Sequence, residues 1–389
     1  MNRNIFLLTL SQAAMMTTIS LVLSSSALVA TQLSSPDLAT VPLAVQYLGT
    51  MVMLYPMAKL MERFGRSVIF CSGALLGAVG LAGAAFGVWI GSFALFSVAG
   101  FLIGAFGAVG QYYRFAAADA APVERKSQAI SWTLAGGLLA AVAGPMLAQW
   151  TKDTLTPAFF ASFLVLIGVA LLSALLALGL RLPPMIRADK QTQRSWAVMA
   201  RNPVLVMAVL SGVVGYAAMN LLMTATPLAM MCSGLGFAQT ALVIQWHVLA
   251  MFAPSFFTGT LIQRIGIIPV MLLGCLLNLG SIAVSQVGTE LAHFEAGLIL
   301  LGIGWNFLYV GATSLLTESC RKEEAARVQG LNDTLVFLGV TTATLFSGVM
   351  VNSLGWQTVN LYVAFPILIV MVGLVRLMNW PHLSRLHKE

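Results

Sequence analysis

Two ionisable side chains lie within long apolar stretches of the sequence, where a charge is expensive. His247 lies in QWHVLAMFAP, and Arg114 follows Gln111-Tyr112-Tyr113. An unperturbed histidine titrates at about pH 6.5, so His247 is a candidate for binding a coupling proton, and equally for an interhelical hydrogen bond. Arg114 can hold an anionic group through its fork of donors, snorkel to water, or pair with a nearby acid.

Acidic residues offer less chemistry in the same stretches. All 13 Asp and Glu fall in loops or near predicted helix ends. Glu295 and Asp333 are the deepest, each about one helical turn inside. This shortage argues against an organic cation as ligand. Paired catalytic acids and an HExxH helix are missing from the sequence, and the four cysteines show no CxxC spacing. We therefore expect no enzyme, no metal site and no cofactor.

Apolar helices must position these residues. The chain is 59% hydrophobic and only 8% charged, whereas soluble domains carry about 25% charged residues. A helix needs about 20 apolar residues to cross a bilayer, so the sequence predicts an all-α polytopic membrane protein. Twelve predicted spans cover residues 5–32, 40–60, 67–90, 92–116, 128–150, 156–180, 204–231, 240–262, 267–288, 295–317, 330–350 and 358–378.

The distribution of Lys and Arg predicts the orientation, because these residues collect on the cytoplasmic side of short loops. With the N-terminus inside, every Lys and Arg except Lys152 and Arg114 falls on a cytoplasmic segment or end. Both termini are then cytoplasmic, and we expect a bacterial inner membrane. The net charge of +7 follows from this topology, so we expect no nucleic-acid partner.

The two halves of the sequence repeat one another. MERFGRSVIF, which starts at residue 61, resembles LIQRIGIIPVM, which starts at residue 261. At an offset of 201 residues, Arg63 aligns with Arg264 and Gly65 with Gly266. At an offset of 200 residues, Gly104 aligns with Gly304. We therefore predict two parallel six-helix halves, residues 1–181 and 204–389, joined by a cytoplasmic linker at 182–203.

The segment from Ala58 to Ser67, AKLMERFGRS, resembles the signature of the major facilitator superfamily, roughly G-x-x-x-D-R-x-G-R-R. The chain departs from it at Ala58, Glu62 and Ser67. This resemblance, which extends over the whole chain, implies a secondary transporter whose halves rock to give alternating access. A cytoplasmic gate would comprise Glu62, Arg63, Gly65, Arg66, Asp119 and Arg264, with Arg66 able to pair with Asp119. Alternatively, Arg63 and Arg66 only fix the orientation of the chain in the membrane.

The resemblance also implies that the first, fourth, seventh and tenth spans line a central cavity. Candidate substrate-binding residues on these spans are Gln12, Thr17, Gln111, Arg114, Asn220, Trp305, Asn306 and Tyr309. His247 of the eighth span, its repeat counterpart Gln46 and the nearby Gln245 complete the set, and His247 is also the candidate for proton coupling.

These residues favour transport of a small neutral or anionic organic solute, coupled to a proton. Efflux of drugs or metabolites is the main alternative, because Gly144-Pro145 resembles the core of an antiporter motif. A membrane sensor without transport activity is a more remote one. The partners we expect are the lipid bilayer, a small-molecule substrate and a coupling proton.

Overall fold

The computed structural model describes residues 2–34, 38, 41–183 and 195–379. All regular secondary structure in these ranges is helical. The helices are α1 (Arg3–Leu33), α2 (Val41–Phe64), α3 (Arg66–Trp89), α4 (Phe93–Gly110), α5 (Tyr113–Asp119), α6 (Lys126–Thr151), α7 (Phe160–Leu178), α8 (Trp196–Met199), α9 (Pro203–Cys232), α10 (Phe237–Phe252), α11 (Ser255–Ile265), α12 (Ile267–Val287), α13 (Leu291–Ser319), α14 (Ala325–Leu354) and α15 (Trp356–Met378).

The described helices confirm the predicted twelve-span, all-α architecture. Eleven spans are long and apolar enough to cross a membrane, with α4 and α5 together forming one of them. The twelfth consists of α10 and α11, which bend by 41° at a short break. Pro254 lies in this break and lacks the backbone N–H that a continuous helix would need. In the predicted linker 182–203, residues 184–194 lie outside the described ranges, and α8 follows them.

The described residues form two compact units. The first comprises the described residues of 1–123 and 132–189 together with Lys322–Phe337. The second comprises Glu124–Ser131 and the described residues of 190–321 and 338–389. Each unit therefore includes a short segment from the other half of the sequence. The predicted division at 182–203 describes the sequence repeat and stays a prediction.

The repeated sequence phrase forms the same backbone turn twice. Gly65 connects α2 to α3 with a φ of 86°, and Gly266 connects α11 to α12 with a φ of 92°. Residues with a Cβ rarely adopt such positive φ angles, so glycine is the residue that suits both turns.

A second repeated feature is a glycine where two neighbouring helices cross. The predicted alignment of Gly104 with Gly304 was wrong at this feature. A Cβ on Gly104 would collide with the carbonyl oxygen of Gln46 in α2. A Cβ on Gly302 would lie 2.7 Å from the carbonyl oxygen of His247 in α10. Gln46 and His247 are themselves repeat partners, so Gly104 corresponds to Gly302. Gly304 instead packs against α12, a different neighbour.

Residue 58, which begins the segment AKLMERFGRS, and residue 259, its counterpart at an offset of 201, also lie at close helix crossings. Ala58 of α2 faces Gly330 of α14, whose added Cβ would lie 2.9 Å from the Ala58 Cβ. Gly259 of α11 faces α6, and an added Cβ would lie 2.5 Å from the Cα of Gln128. At each crossing a glycine removes the side chain that would separate the backbones. Because Gly330 provides the space in the first unit, alanine is tolerated at residue 58.

Candidate functional site

Four aromatic side chains form a cluster inside the second unit. Trp305 and Tyr309, one turn apart on α13, stack with ring centroids 5.0 Å apart and an interplanar angle of 17°. Tyr216 of α9 meets Trp305 edge-on at 5.3 Å and Tyr309 at 5.2 Å. Phe252 completes the cluster, 5.9 Å from Trp305. Such a surface can stack with a flat aromatic ligand, although the same contacts also stabilise packing.

Trp305 carries a polar group that the described residues do not satisfy. Its side chain is only 2% exposed, and its indole Nε1–H has no hydrogen-bond acceptor among the described residues. A buried indole N–H usually has a partner. The aromatic cluster therefore contains a buried indole N–H that could donate a hydrogen bond to a ligand carbonyl.

Asn306 is engaged within the second unit. Its Nδ2 donates to the carbonyl oxygen of Met251 at 2.7 Å and to Ser255 Oγ at 2.6 Å, and its Oδ1 accepts from Thr258 Oγ1 at 2.7 Å. Met251 lies just before the α10–α11 break, where helix-end carbonyls lack their usual donors. Asn306 thus stabilises the broken span. It was a candidate substrate-binding residue, but both protons of its side-chain amide already donate to protein oxygens.

His247 also connects two helices of the second unit. Its Nδ1 lies 2.7 Å from the carbonyl oxygen of Leu298 on α13. A carbonyl only accepts, so Nδ1 carries the proton. The ring is fully buried, and Nε2 has no partner among the described residues. This geometry supplies the interhelical hydrogen bond that was one of its two predicted roles, while proton coupling at this residue stays a prediction.

The other candidates in the second unit differ in environment. Asn220 of α9 is buried and donates from Nδ2 to Thr344 Oγ1 at 2.5 Å and to the carbonyl oxygen of Val340 at 3.4 Å. Gln245 is exposed, two residues from the buried His247 on the same helix. The structure therefore does not bring Gln245 and His247 to one buried position.

In the first unit, Arg114 is part of a buried ion pair. Its Nη2 donates to Asp333 Oδ1 at 2.5 Å, and its Nη1 donates to Gln111 Oε1 at 3.0 Å. The exposed fractions of the Arg114 and Asp333 side chains are 2% and 1%. Of the roles predicted for Arg114, the structure shows pairing with an acid.

Asp333 lies further from the start of its helix than the sequence predicted. We expected no carboxylate well inside the membrane and placed Asp333 about one turn inside its span. The helix α14 begins at Ala325, five residues before the predicted boundary at 330, so Asp333 lies more than two turns from its start. Arg114 neutralises the charge, which makes burial of the carboxylate possible.

The polar candidates on α1 and α2 are buried in the first unit. Gln12 and Thr17 lie on α1, and Gln46 lies on α2 beside the Gly104 crossing. Gln46 Oε1 has no donor among the described residues. These three side chains are buried, and no hydrogen bond among the described residues joins them into one site.

The predicted gate residues include one buried cation. Arg66 Nη1 lies 2.8 Å from Asp119 Oδ2, and Arg66 Nη2 donates to Gln329 Oε1 of α14 at 3.0 Å. The predicted Arg66–Asp119 pair is thus present, while its role as a gate stays a prediction. Glu62 is half-buried, whereas Arg63 and Arg264 are exposed. Arg63 stacks over the Phe64 ring at 5.1 Å.

Comparison with known proteins decides the family. The family model described as Major Facilitator Superfamily matches residues 5–340 and again 249–385. The chain belongs to the Major Facilitator Superfamily. It is therefore a multi-pass membrane transporter and not an enzyme. Among the described residues, no group of three or more His, Cys, Asp or Glu could hold a metal ion.

Relatives within the Major Facilitator Superfamily include the riboflavin transporter RfnT of Brucella anthropi. It is 41% identical to this chain over 379 residues, which cover 96% of this chain and 95% of the relative. The MFS-type transporter YddS of Bacillus subtilis is 28% identical over 341 residues, covering 82% of this chain and 78% of the relative.

Solved structures of Major Facilitator Superfamily transporters have the same fold. The transporter FucP in the outward conformation superposes with a TM-score of 0.76 at 16% identity, covering 96% of this chain and 99% of FucP. The human organic anion transporter MFSD10 gives a TM-score of 0.76 at 15% identity, covering 96% of this chain and 99% of that one. At these identities the likeness concerns the fold alone.

Three residues that contact the candidates were not predicted from the sequence. Asp333 pairs with Arg114, Gln329 binds Arg66, and Tyr216 packs on Trp305. Asp333 and Gln329 lie four residues apart, so they share one face of α14. That spacing could have predicted the contacts, because two polar residues on one face of a membrane helix indicate that polar partners lie opposite them.

Proposed function

We propose that this transporter carries riboflavin, or a flavin closely similar to it, across the bacterial inner membrane with both chain termini in the cytoplasm. The observation that supports the proposal most is the 41% identity to RfnT over nearly the full length of both proteins. We further propose that a proton moves with the flavin, that transport is inward, and that the two sequence halves alternate access.

The aromatic cluster supports a flavin as substrate. The isoalloxazine ring of riboflavin is flat, aromatic and bordered by carbonyl oxygens. Trp305, Tyr309 and Tyr216 provide ring surfaces for stacking, and the buried Trp305 Nε1–H is a donor for a carbonyl. Stacking of a flat ring on an aromatic side chain contributes about 1–3 kcal/mol in nucleic-acid complexes, and a flavin should gain a similar amount.

The charges in the first unit support a flavin without a phosphate. Arg114, the buried cation predicted to hold an anion, is already neutralised by Asp333. Removing that partner to bind a phosphate would leave a buried carboxylate uncompensated. We therefore propose that the substrate is riboflavin and that flavin mononucleotide is rejected.

Riboflavin binding and transport by purified protein test this proposal. Riboflavin at 100 times its Kd should stabilise the protein by about 2.7 kcal/mol in a thermal-unfolding assay, whereas flavin mononucleotide should give no shift. In proteoliposomes, flavin fluorescence should show riboflavin entering when the outside is more acidic. Entry favoured by an acidic interior would instead support the efflux alternative, and no binding of either flavin would contradict the proposal.

Trp305→Phe examines the role of the aromatic cluster. The phenyl ring keeps an aromatic contact with Tyr216 and Phe252 but removes the indole N–H and half of the stacking area. We expect riboflavin affinity to fall about tenfold, which corresponds to about 1.4 kcal/mol. The matched control is Trp89→Phe at an exposed position on α3, which should leave the affinity unchanged. Equal affinities of both variants and the wild type would remove Trp305 from the site.

A further inference from the structure

Two of the buried polar atoms in the second unit that have no hydrogen-bond partner among the described residues belong to facing helices. They are Nε2 of His247 on α10 and Nε1 of Trp305 on α13, and the two side chains are 0% and 2% exposed. Buried polar atoms normally have partners. In a transporter, a bound ligand is one source of the missing hydrogen bonds.

The tautomer of His247 makes its second ring nitrogen an acceptor. The close crossing of α10 and α13 at Gly302 brings the imidazole ring to the backbone of α13, where Nδ1 lies 2.7 Å from the carbonyl oxygen of Leu298. That oxygen only accepts, so Nδ1 carries the hydrogen, and Nε2 of the neutral ring carries none. Nε2 therefore accepts a hydrogen bond from an O–H or N–H group, whereas the Trp305 indole donates one.

The acceptor and the donor lie along one face of α13. Leu298, which holds the His247 ring, and Trp305 are seven residues apart, so they share a face of the helix and lie about 10.5 Å apart along its axis. Tyr216 and Phe252 contact the Trp305 ring edge-on. A ligand that satisfies both atoms therefore needs a flat ring at the Trp305 end and a hydrogen-bond donor at the His247 end.

We infer that His247 determines specificity by accepting a hydrogen bond from a ribityl hydroxyl of the flavin. Riboflavin has two kinds of donor, the ring N–H and the hydroxyls of the ribityl chain. The ring N–H lies between two ring carbonyls, so it stays beside Trp305 when the indole N–H binds one of them. The ribityl chain extends away from the ring, and its hydroxyls are the donors that reach His247.

The neighbouring amide candidate is not available for this role. Asn306 follows Trp305 in the sequence, but its Oδ1 already accepts from Thr258 Oγ1 at 2.7 Å, and its Nδ2 donates to two protein oxygens. His247 instead keeps one ring nitrogen for a ligand. This role rests on the proposed transport of riboflavin and names the part of the substrate that His247 recognises.

The test is a thermodynamic cycle of two ligands and two proteins, measured by calorimetric titration of the full-length protein in detergent. The ligands are riboflavin and lumiflavin, which has the same ring with a methyl group in place of the ribityl chain. His247→Asn keeps a donor for the Leu298 carbonyl and removes Nε2. We expect it to weaken riboflavin binding about tenfold and lumiflavin binding by less than about twofold. Equal weakening of both flavins, or of neither, would overturn the inference.

Two further variants separate the hydrogen bond from packing. His247→Gln can place its Oε1 where Nε2 lies, and glutamine is also the residue at the repeat position, Gln46. It should restore most of the riboflavin affinity that His247→Asn loses, and a loss as large as that of His247→Asn would contradict the role of Nε2. The control Asn360→Leu removes a different buried oxygen that lacks a donor, on α15, and should leave both affinities unchanged.

A second measurement uses the wild-type protein and applies even if His247→Asn does not fold. With a nitrogen isotope in the histidine rings, the NMR signal of the unprotonated Nε2 should shift when riboflavin binds and stay in place when lumiflavin binds. If the wild type binds neither flavin, the proposed substrate fails. If it binds riboflavin but shows neither this shift nor the difference between the two flavins, the role of His247 fails and the proposed substrate stands.

Discussion

The two units solve the problem of buried polar groups differently. The first unit uses full charges: Arg66 pairs with Asp119, and Arg114 pairs with Asp333. Where α6 meets α11, the second unit uses neutral hydrogen bonds. Ser131 Oγ donates to the carbonyl oxygen of Ser255 and accepts from the N–H of Gly259 at 3.1 Å, and Gln128 donates to Thr260 Oγ1 at 3.3 Å.

The comparison separates what a sequence repeat preserves from what it loses. Two backbone features are shared by the units. Each has a glycine with a positive φ angle shortly after the repeated arginine, and each has a glycine where two helices cross closely. The polar contacts at the crossings are not shared. Gln128 and Gln329 are 201 residues apart, so they are repeat partners at the offset that aligns Arg63 with Arg264. Gln329 accepts from the buried guanidinium of Arg66, whereas Gln128 donates to the hydroxyl of Thr260. The backbone geometry is thus common to both units, whereas the two ion pairs described above belong to the first.

The largest effect should come from removing one charge of the buried pair. Arg114→Ala leaves Asp333 buried without its cation, and breaking a buried pair in this way costs about 3–5 kcal/mol. The double variant Arg114→Ala/Asp333→Ala should recover most of that loss, because no charge is left. Thermal unfolding in detergent measures both. A double variant as unstable as the single one would show that packing, and not charge, dominates at this position.

A smaller loss of stability should follow from adding a side chain to either glycine at the repeated helix crossing. Gly104→Ala and Gly302→Ala each place a Cβ against the backbone of the neighbouring helix, and such overpacking costs about 1–3 kcal/mol. Gly348→Ala on α14, where a Cβ would meet nothing within 4 Å, is the control and should be neutral or slightly stabilising. Unequal losses at Gly104 and Gly302 would contradict their assignment as repeat partners.

The smallest effect should separate the two arginines of the repeated phrase. Arg66→Ala removes donors from Asp119 and from buried Gln329, and we expect a loss of about 1–2 kcal/mol together with a changed transport rate. Arg264→Ala, at the exposed counterpart, should stay within about 0.5 kcal/mol of the wild type in stability. A transport rate unchanged in Arg66→Ala would reduce the proposed gate to a determinant of topology.

Hydrophobicity and glycine positions made most of the fold predictable from the sequence. Long apolar runs can do little except span a membrane as helices, and a glycine shared by both repeats, such as Gly65 and Gly266, is typical of a backbone turn. The buried pair was harder, because Asp333 lies 219 residues from Arg114 and its helix begins before the apolar run does. The role of Asn306 was also hidden, since the break that frees the Met251 carbonyl is a property of three-dimensional structure.

The exchange of segments between the units has a consequence for the order in which the protein is made. The first unit includes Lys322–Phe337 of a chain of 389 residues. During synthesis, domains generally fold from the N-terminus as units, but here the partners of Arg66 and Arg114 on α14 are translated near the end. The first unit therefore cannot be completed until the start of α14 has been translated.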